Sequence, residues 1–141
     1  MAIPPFSIFS AVSELFVTAG VFFVVHRNWT HRTFSGVLFL AVVLFEALVN
    51  VLYMAQRASR AATGAEGVAP AMKLVFAGHG MLSLFAYVAF VVLGVIAFQD
   101  QRRGRWFFAE HPGMTWTFLV VWGVSILSGE AIFVMRYLWR T

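Results

Sequence analysis

The chain contains four apolar stretches, and each has about the length of a helix that crosses a membrane. They cover residues 6–25, 34–55, 74–98 and 114–135, close to the ~20 residues that span the hydrocarbon core. Of all 141 residues, 61% are hydrophobic and only 11% are charged, which is too little charge to cover a soluble protein of this size. The sequence therefore predicts one all-α domain over residues 1–141, an antiparallel four-helix transmembrane bundle. We number the predicted helices spans 1 to 4.

Composition also excludes several classes of protein. The absence of cysteine excludes disulfides and thiolate metal sites. The net charge of +4 comes mainly from arginines in the connections, whereas a nucleic-acid-binding protein usually gathers such charge on one polar face. No phosphate-binding loop or nucleophile motif is present. We expect the partners to be the lipid bilayer and other membrane subunits, and the sequence leaves enzymatic activity undecided.

The three connections differ in length and character. The first, residues 26–32, is very short, so spans 1 and 2 must be antiparallel neighbours. The second, residues 56–73, is the longest and contains Gly64 and Pro70. The third runs over residues 99–113, and its Trp106-Phe107-Phe108 segment is predicted to lie along the lipid headgroups.

Basic residues give a prediction of orientation. Connections one and three hold Arg27, Arg32, Arg102, Arg103 and Arg105, and the opposite side holds Arg57, Arg60, Lys73, Arg136 and Arg140. The totals are equal, but span 1 has no basic residue before it and two arginines soon after it. This favours cytoplasmic arginine-rich connections and both termini outside, in a bacterial cytoplasmic membrane. We call the half of the bundle near the termini the terminal half, and the opposite half the arginine half.

Four ionisable side chains lie inside the spans, one in each: Glu14, Glu46, His79 and Glu130. Such residues cost at least ~2.5 kcal/mol on insertion scales and normally face the bundle interior. With a rise of ~1.5 Å per residue, Glu14 lies about 12 Å deep, Glu46 about 15 Å, and His79 and Glu130 about 9 Å, all from the terminal side. We therefore expect one shared site in the terminal half, which is the outer half under the predicted orientation.

The charge of these residues points to a cation. No arginine or lysine lies at their depth, and adjacent unpaired carboxylates cannot all be ionised in a low dielectric. Four-helix bundles with inward Glu and His hold iron or manganese, and oxygen ligands with one imidazole suit iron, manganese, zinc or copper(II). We predict a metal site at Glu14, Glu46, His79 and Glu130, with Asn50 and Tyr53 as supporting or additional ligands. No HExxH or ExxH motif identifies the metal.

Three alternatives stay open. The polar residues could lock the helices together by hydrogen bonds without any ligand, handle protons, or contact a quinone or another organic ligand. A b-type haem between two histidines is disfavoured, because His26, His31 and His111 all lie on the arginine side, away from His79.

The positions of the histidines also resemble a known family. His31-Arg32 precedes span 2, His79 lies early in span 3, and Glu110-His111 precedes span 4. This layout is similar to the CtaM-like family, small four-helix bacterial membrane proteins linked to the assembly of haem-copper terminal oxidases. The resemblance implies a respiratory context that involves copper or iron. The chain departs from the family where a further histidine is expected near the end of span 2, at Tyr53, and Glu14, Glu46 and Glu130 are not family features.

Overall fold

The computed structural model describes residues 5–62 and 70–138, and these residues form an all-α bundle. Its helices are α1 (Pro5–His31), α2 (Gly36–Ala62), α3 (Pro70–Arg102), the short α4 (Phe107–Glu110) and α5 (Pro112–Phe133), which continues into a π-helical turn (Val134–Leu138). Four of them, α1, α2, α3 and α5, are long and apolar enough to cross a membrane. The predicted fold class is confirmed.

Local chemistry explains why these segments are helical. In hydrocarbon, every backbone N–H and C=O group must be satisfied within the segment, and an α-helix does so. Three of the helices begin at a proline, namely Pro5, Pro70 and Pro112. Proline suits this position because its missing N–H would have no helical partner in the first turn.

The helices pack in the order α1, α2, α3, α5 around a four-membered ring. α1 packs against α2 and α5, and α3 packs against α5, whereas α2 and α3 make much less contact with each other. The described contacts between α2 and α3 lie mainly in the arginine half, where the Tyr87 hydroxyl donates to the Val43 carbonyl at 3.2 Å. The bundle is therefore loosest between α2 and α3 in the terminal half.

The first connection is shorter than predicted, because α1 continues as helix to His31. The turn begins at Arg32, whose φ of 54° lies in the left-handed region that commonly ends a helix. α2 starts at Gly36 instead of residue 34, and the Phe34 backbone N–H donates to the Gln101 side chain. In the second connection, helix extends to Ala62 and resumes at Pro70, so Gly64 lies outside the described residues.

The prediction for the third connection was wrong in one respect. The rings of Phe107 and Phe108 do not face the headgroups: they are only 5% and 0% exposed and pack inside the end of the bundle. The buried Asn28 side chain accepts the Phe108 N–H at 3.1 Å, and the Thr115 hydroxyl donates to the Phe108 carbonyl at 2.9 Å. These two hydrogen bonds hold α4 against α1 and α5.

The apolar core fills the arginine half. Phe39, Phe90, Phe118 and Trp122 form a chain of ring contacts with centroids 5.2–6.1 Å apart. The α2–α3 approach depends on Gly94, because a Cβ there would overlap the Phe39 ring. The aromatic core thus fixes the helices in one half and leaves the polar residues in the other.

Candidate functional site

Two predicted site residues, Glu14 of α1 and His79 of α3, come together at Gly129 of α5. A Cβ at this glycine would lie 2.9 Å from His79 Cε1, 3.2 Å from His79 Nε2 and 3.3 Å from Glu14 Oε2. The His79 imidazole of α3 and the Glu14 carboxylate of α1 therefore both border the space that this glycine leaves. Glu14 and His79 thus approach the same point from two different helices.

Hydrogen bonds on α5 fix the orientation and the tautomer of His79. The Ser128 hydroxyl donates to the Ser125 carbonyl at 2.7 Å. When this hydrogen is donated to Ser125, Ser128 Oγ accepts from His79 Nδ1, which lies 2.8 Å away. The neutral imidazole then carries its proton on Nδ1 and its lone pair on Nε2. The nitrogen that can bind a proton or a metal is the one beside Glu14.

A second pair of hydroxyls lies one turn closer to the arginine half. Ser83 Oγ and Ser125 Oγ are 2.9 Å apart, while Ser83 Oγ lies 3.5 Å from His79 Nε2. At 3.5 Å that second interaction is too long for a strong hydrogen bond. The Nε2 lone pair is therefore left largely available to another partner.

The other two predicted ligands lie near Glu14. Glu46 and Glu130 lie close enough to Glu14 to interact with it electrostatically. Glu130 Oε1 is buried and has no hydrogen-bond partner among the described residues. A buried carboxylate oxygen without a donor is costly, so this atom requires a proton or a bound cation.

No basic side chain offsets these carboxylates in the part of the chain that the structure describes. The ion pair found there, Arg105–Glu110 at 3.2 Å, is at the opposite end of the bundle. Arg136 lies over the rings of Phe76 and Tyr137, 5.5 Å from each centroid. Among the described residues, Glu14, Glu46 and Glu130 therefore have no basic side chain within ion-pair distance.

The two supporting residues behave differently. Asn50 donates to the Glu46 carbonyl and to Glu46 Oε1, both at 2.9 Å, so it orients a predicted ligand within α2. Tyr53 stacks on Phe6 of α1, with ring centroids 6.5 Å apart. The described contacts of Asn50 thus support Glu46, whereas that of Tyr53 joins α1 to α2.

A complete metal-ligand set is not assembled in this conformation. Within residues 5–62 and 70–138, no three His, Asp or Glu side chains are grouped so that they could hold a metal ion. Binding of a metal at Glu14 and His79 therefore requires Glu46 or Glu130 to rotate toward them.

Sequence reasoning missed three residues that build the site: Ser125, Ser128 and Gly129. They lie at positions i, i+3 and i+4 on α5, a run of small residues of the kind that lets transmembrane helices approach closely. This spacing was the signal in the sequence that could have identified them.

A groove between α3 and α5 leads from the lipid-facing surface to His79. Its volume is about 260 Å³, and His79 and Ser128 supply its polar groups. The remaining lining residues are aliphatic or glycine, namely Val75, Gly78, Leu82, Ala131, Ile132 and Met135. An apolar molecule dissolved in the bilayer can thus reach the imidazole from the side.

The other three histidines lie at the far end of the bundle. The rings of His26 and His31 are 6.3 Å apart between centroids, and His111 stacks on Phe107 at 4.7 Å. The described neighbours of His79 are Ser128, Ser83 and Glu14, so its site is one of carboxylates and hydroxyls.

No protein-family model matches this chain, and no curated protein or solved structure shows significant similarity to it.

Proposed function

We propose that this integral membrane protein binds a metal ion in the terminal half of its bundle, through His79, Glu14, Glu46 and Glu130. The observation that carries the proposal is the lone pair of His79 Nε2, which has only a long contact to Ser83 and borders the same space as the Glu14 carboxylate. Iron, zinc, manganese and copper(II) all accept this combination of imidazole and carboxylate ligands.

The surroundings of His79 match those of a metal ligand. A ligating imidazole usually donates its second N–H to a fixed acceptor, which orients the ring and sets the tautomer. Ser128 has this role here, at 2.8 Å. Glu14 supplies the second ligand, and rotation of Glu130, whose Oε1 has no described partner, brings in a third. Asn50 holds Glu46 near the site.

The biological role that we propose is based on the resemblance of the histidine positions to those of the CtaM-like family. We propose that the protein assists, or forms part of, a respiratory or metal-dependent oxidase complex in a bacterial membrane. With both termini outside, the metal site would lie in the outer half of the bilayer. The weak contact between α2 and α3 in the terminal half leaves a side of the bundle where another membrane subunit can pack.

Elemental analysis of the purified protein tests the metal directly. We expect the wild type to retain one metal ion and His79→Ala to lose it, whereas His111→Ala, at the opposite end, should retain it. Glu46→Gln should weaken binding, because an amide oxygen brings no negative charge, and Glu110→Gln is its matched control. A wild type without metal after purification and reconstitution with each candidate ion would refute the proposal. In that case, locking of helices by hydrogen bonds predicts that Glu46→Gln is nearly neutral.

The lateral groove favours a second candidate function, binding of a quinone. A quinone ring is flat and apolar and carries carbonyl acceptors, and the groove offers aliphatic walls with the His79–Ser128 pair as its polar part. Gly78→Leu should fill the groove and abolish binding of a short-chain quinone, measured by titration in detergent. Gly80→Leu is the control, since Gly80 lies on the same helix and outside the groove lining. Equal binding by both variants would exclude this groove.

The orientation has its own test. Reporter proteins fused at Gly104 and at Gly64 should report the cytoplasm and the outside, respectively. The reverse pattern would place the metal site in the inner half of the bilayer and leave the four spans unchanged.

A further inference from the structure

A second cavity lies at the arginine end of the bundle, far from the proposed metal site. Its volume is about 310 Å³, and it is lined by Phe23, His26, Arg27, His31 and Thr33. These residues belong to the last three turns of α1 and the turn that follows. The cavity therefore lies where α1 leaves the hydrocarbon, at the level of the lipid phosphates.

The charge of this end is strongly positive. It holds five arginines and, as acidic residues, Asp100 and Glu110. Asp100 is only 7% exposed, and Glu110 is paired with Arg105. No acidic side chain lines the cavity, so no described negative charge would repel an anionic group placed there.

Arg27 is held in a defined orientation within the cavity. Its Nε donates to the Thr33 hydroxyl at 3.1 Å, and its guanidinium lies 5.9 Å from the centroid of the Phe23 ring. Since Nε is already used, the two terminal nitrogens remain as parallel donors, the arrangement that binds a phosphate through two hydrogen bonds. The rings of His26 and His31, 6.3 Å apart, provide further donors on the same wall.

The apolar side of the cavity distinguishes a lipid from a soluble anion. Phe23 is 49% exposed and lies one helical turn deeper than Arg27, at the depth of the first methylene groups of an acyl chain. A free phosphate would make no use of this surface, whereas the chain of a phospholipid would cover it. We propose that this cavity binds the phosphate of an anionic phospholipid, with Arg27 as its main hydrogen-bond donor and Phe23 against the acyl chain.

Native mass spectrometry of the full-length protein, released from micelles that contain equal phosphatidylglycerol and phosphatidylcholine, tests this proposal. The wild type should retain phosphatidylglycerol preferentially. Arg27→Gln should reduce that retention about tenfold, the effect of losing one charge-assisted pair of hydrogen bonds. Arg103→Gln is the matched control, because it removes the same charge at the same end but does not line the cavity. It should change retention less than about twofold.

Two further variants separate the contributions to binding. Thr33→Val keeps every charge but removes the hydroxyl that orients Arg27, and it should lower retention of phosphatidylglycerol about threefold. Phe23→Ala should lower retention of the lipid without changing any effect of inorganic phosphate. Circular dichroism of each variant verifies that the helices are intact, and Thr33→Val carries the test if Arg27→Gln fails to fold.

Several results would overturn the proposal. Equal losses in Arg27→Gln and Arg103→Gln would mean that only the general surface charge attracts anionic lipid. Displacement of phosphatidylglycerol by millimolar inorganic phosphate would identify the site as one for a soluble anion. Equal retention of phosphatidylcholine by the wild type would exclude selective binding of an anionic headgroup.

Discussion

The substitution Gly129→Ala tests the geometry around His79 most directly. The added methyl group would lie 2.9 Å from His79 Cε1 and 3.3 Å from Glu14 Oε2. Non-bonded carbon atoms prefer separations of ~3.5–4.0 Å, so the imidazole must shift by about 0.5–1 Å. Such a shift would stretch the 2.8 Å hydrogen bond from His79 to Ser128 toward or beyond the ~3.2 Å limit of a normal one.

The effects on stability and on the site should differ. Both groups that the methyl would meet are the ends of side chains that can rotate, and alanine is favoured over glycine in a helix by about 1 kcal/mol. We therefore expect little loss of stability. Loss of a partner that orients a ligand typically lowers metal affinity about 10–100-fold, and we expect a reduction in this range.

Two measurements detect the effects of Gly129→Ala. Competition titration with a chelating dye gives the metal affinity of the purified protein, and the ¹⁵N NMR shifts of His79 report whether its proton stays on Nδ1. Gly123→Ala is the control, because a methyl group there meets open space. If Gly129→Ala kept both the wild-type affinity and the wild-type His79 shifts, the proposed contact at Gly129 would be refuted.

Three other predictions concern the framework. Gly94→Ala should destabilise the bundle by about 1–3 kcal/mol, because its methyl group would overlap the Phe39 ring; unfolding in mixed micelles measures this, and wild-type stability would contradict the packing argument. Arg32→Gly should stabilise the protein by about 1 kcal/mol in the same assay, since Arg32 has a left-handed φ of 54°; a loss of stability would show that its side chain contributes more than its strained backbone costs. The Glu110 carboxylate accepts the Trp106 backbone N–H and lies beside Arg105, and both interactions hold the pKa of this carboxyl below the ordinary 4.5. Its contribution to stability is present above pH 4.5 and is lost as the pH falls further, so the melting temperature of Glu110→Gln should fall less on acidification than that of the wild type, and equal falls would count against this role.

Hydrophobic length was sufficient to predict the four spans, because the need to satisfy backbone groups in lipid acts on each segment separately. The depths given for the polar residues follow from the constant helical rise and stay predictions. The ends of the helices were less accurate. α1 continues through residues 26–31. The Phe107-Phe108 segment is buried, and its backbone is bound by Asn28, 80 residues away in sequence, and by Thr115 of the following helix.

The candidate site was likewise only partly predictable from the sequence. The presence of one ionisable group in each span indicated that the terminal half contains a polar site, and this required only the sequence. Which atoms meet there depends on the packing of α1, α3 and α5, because His79 and Glu14 border the space at Gly129 from two other helices. The tautomer of His79 likewise depends on Ser128, 49 residues away in sequence. A hydrogen-bond partner on a neighbouring helix cannot be inferred from local periodicity, since periodicity defines the face of one helix and not the rotation of the helix packed against it.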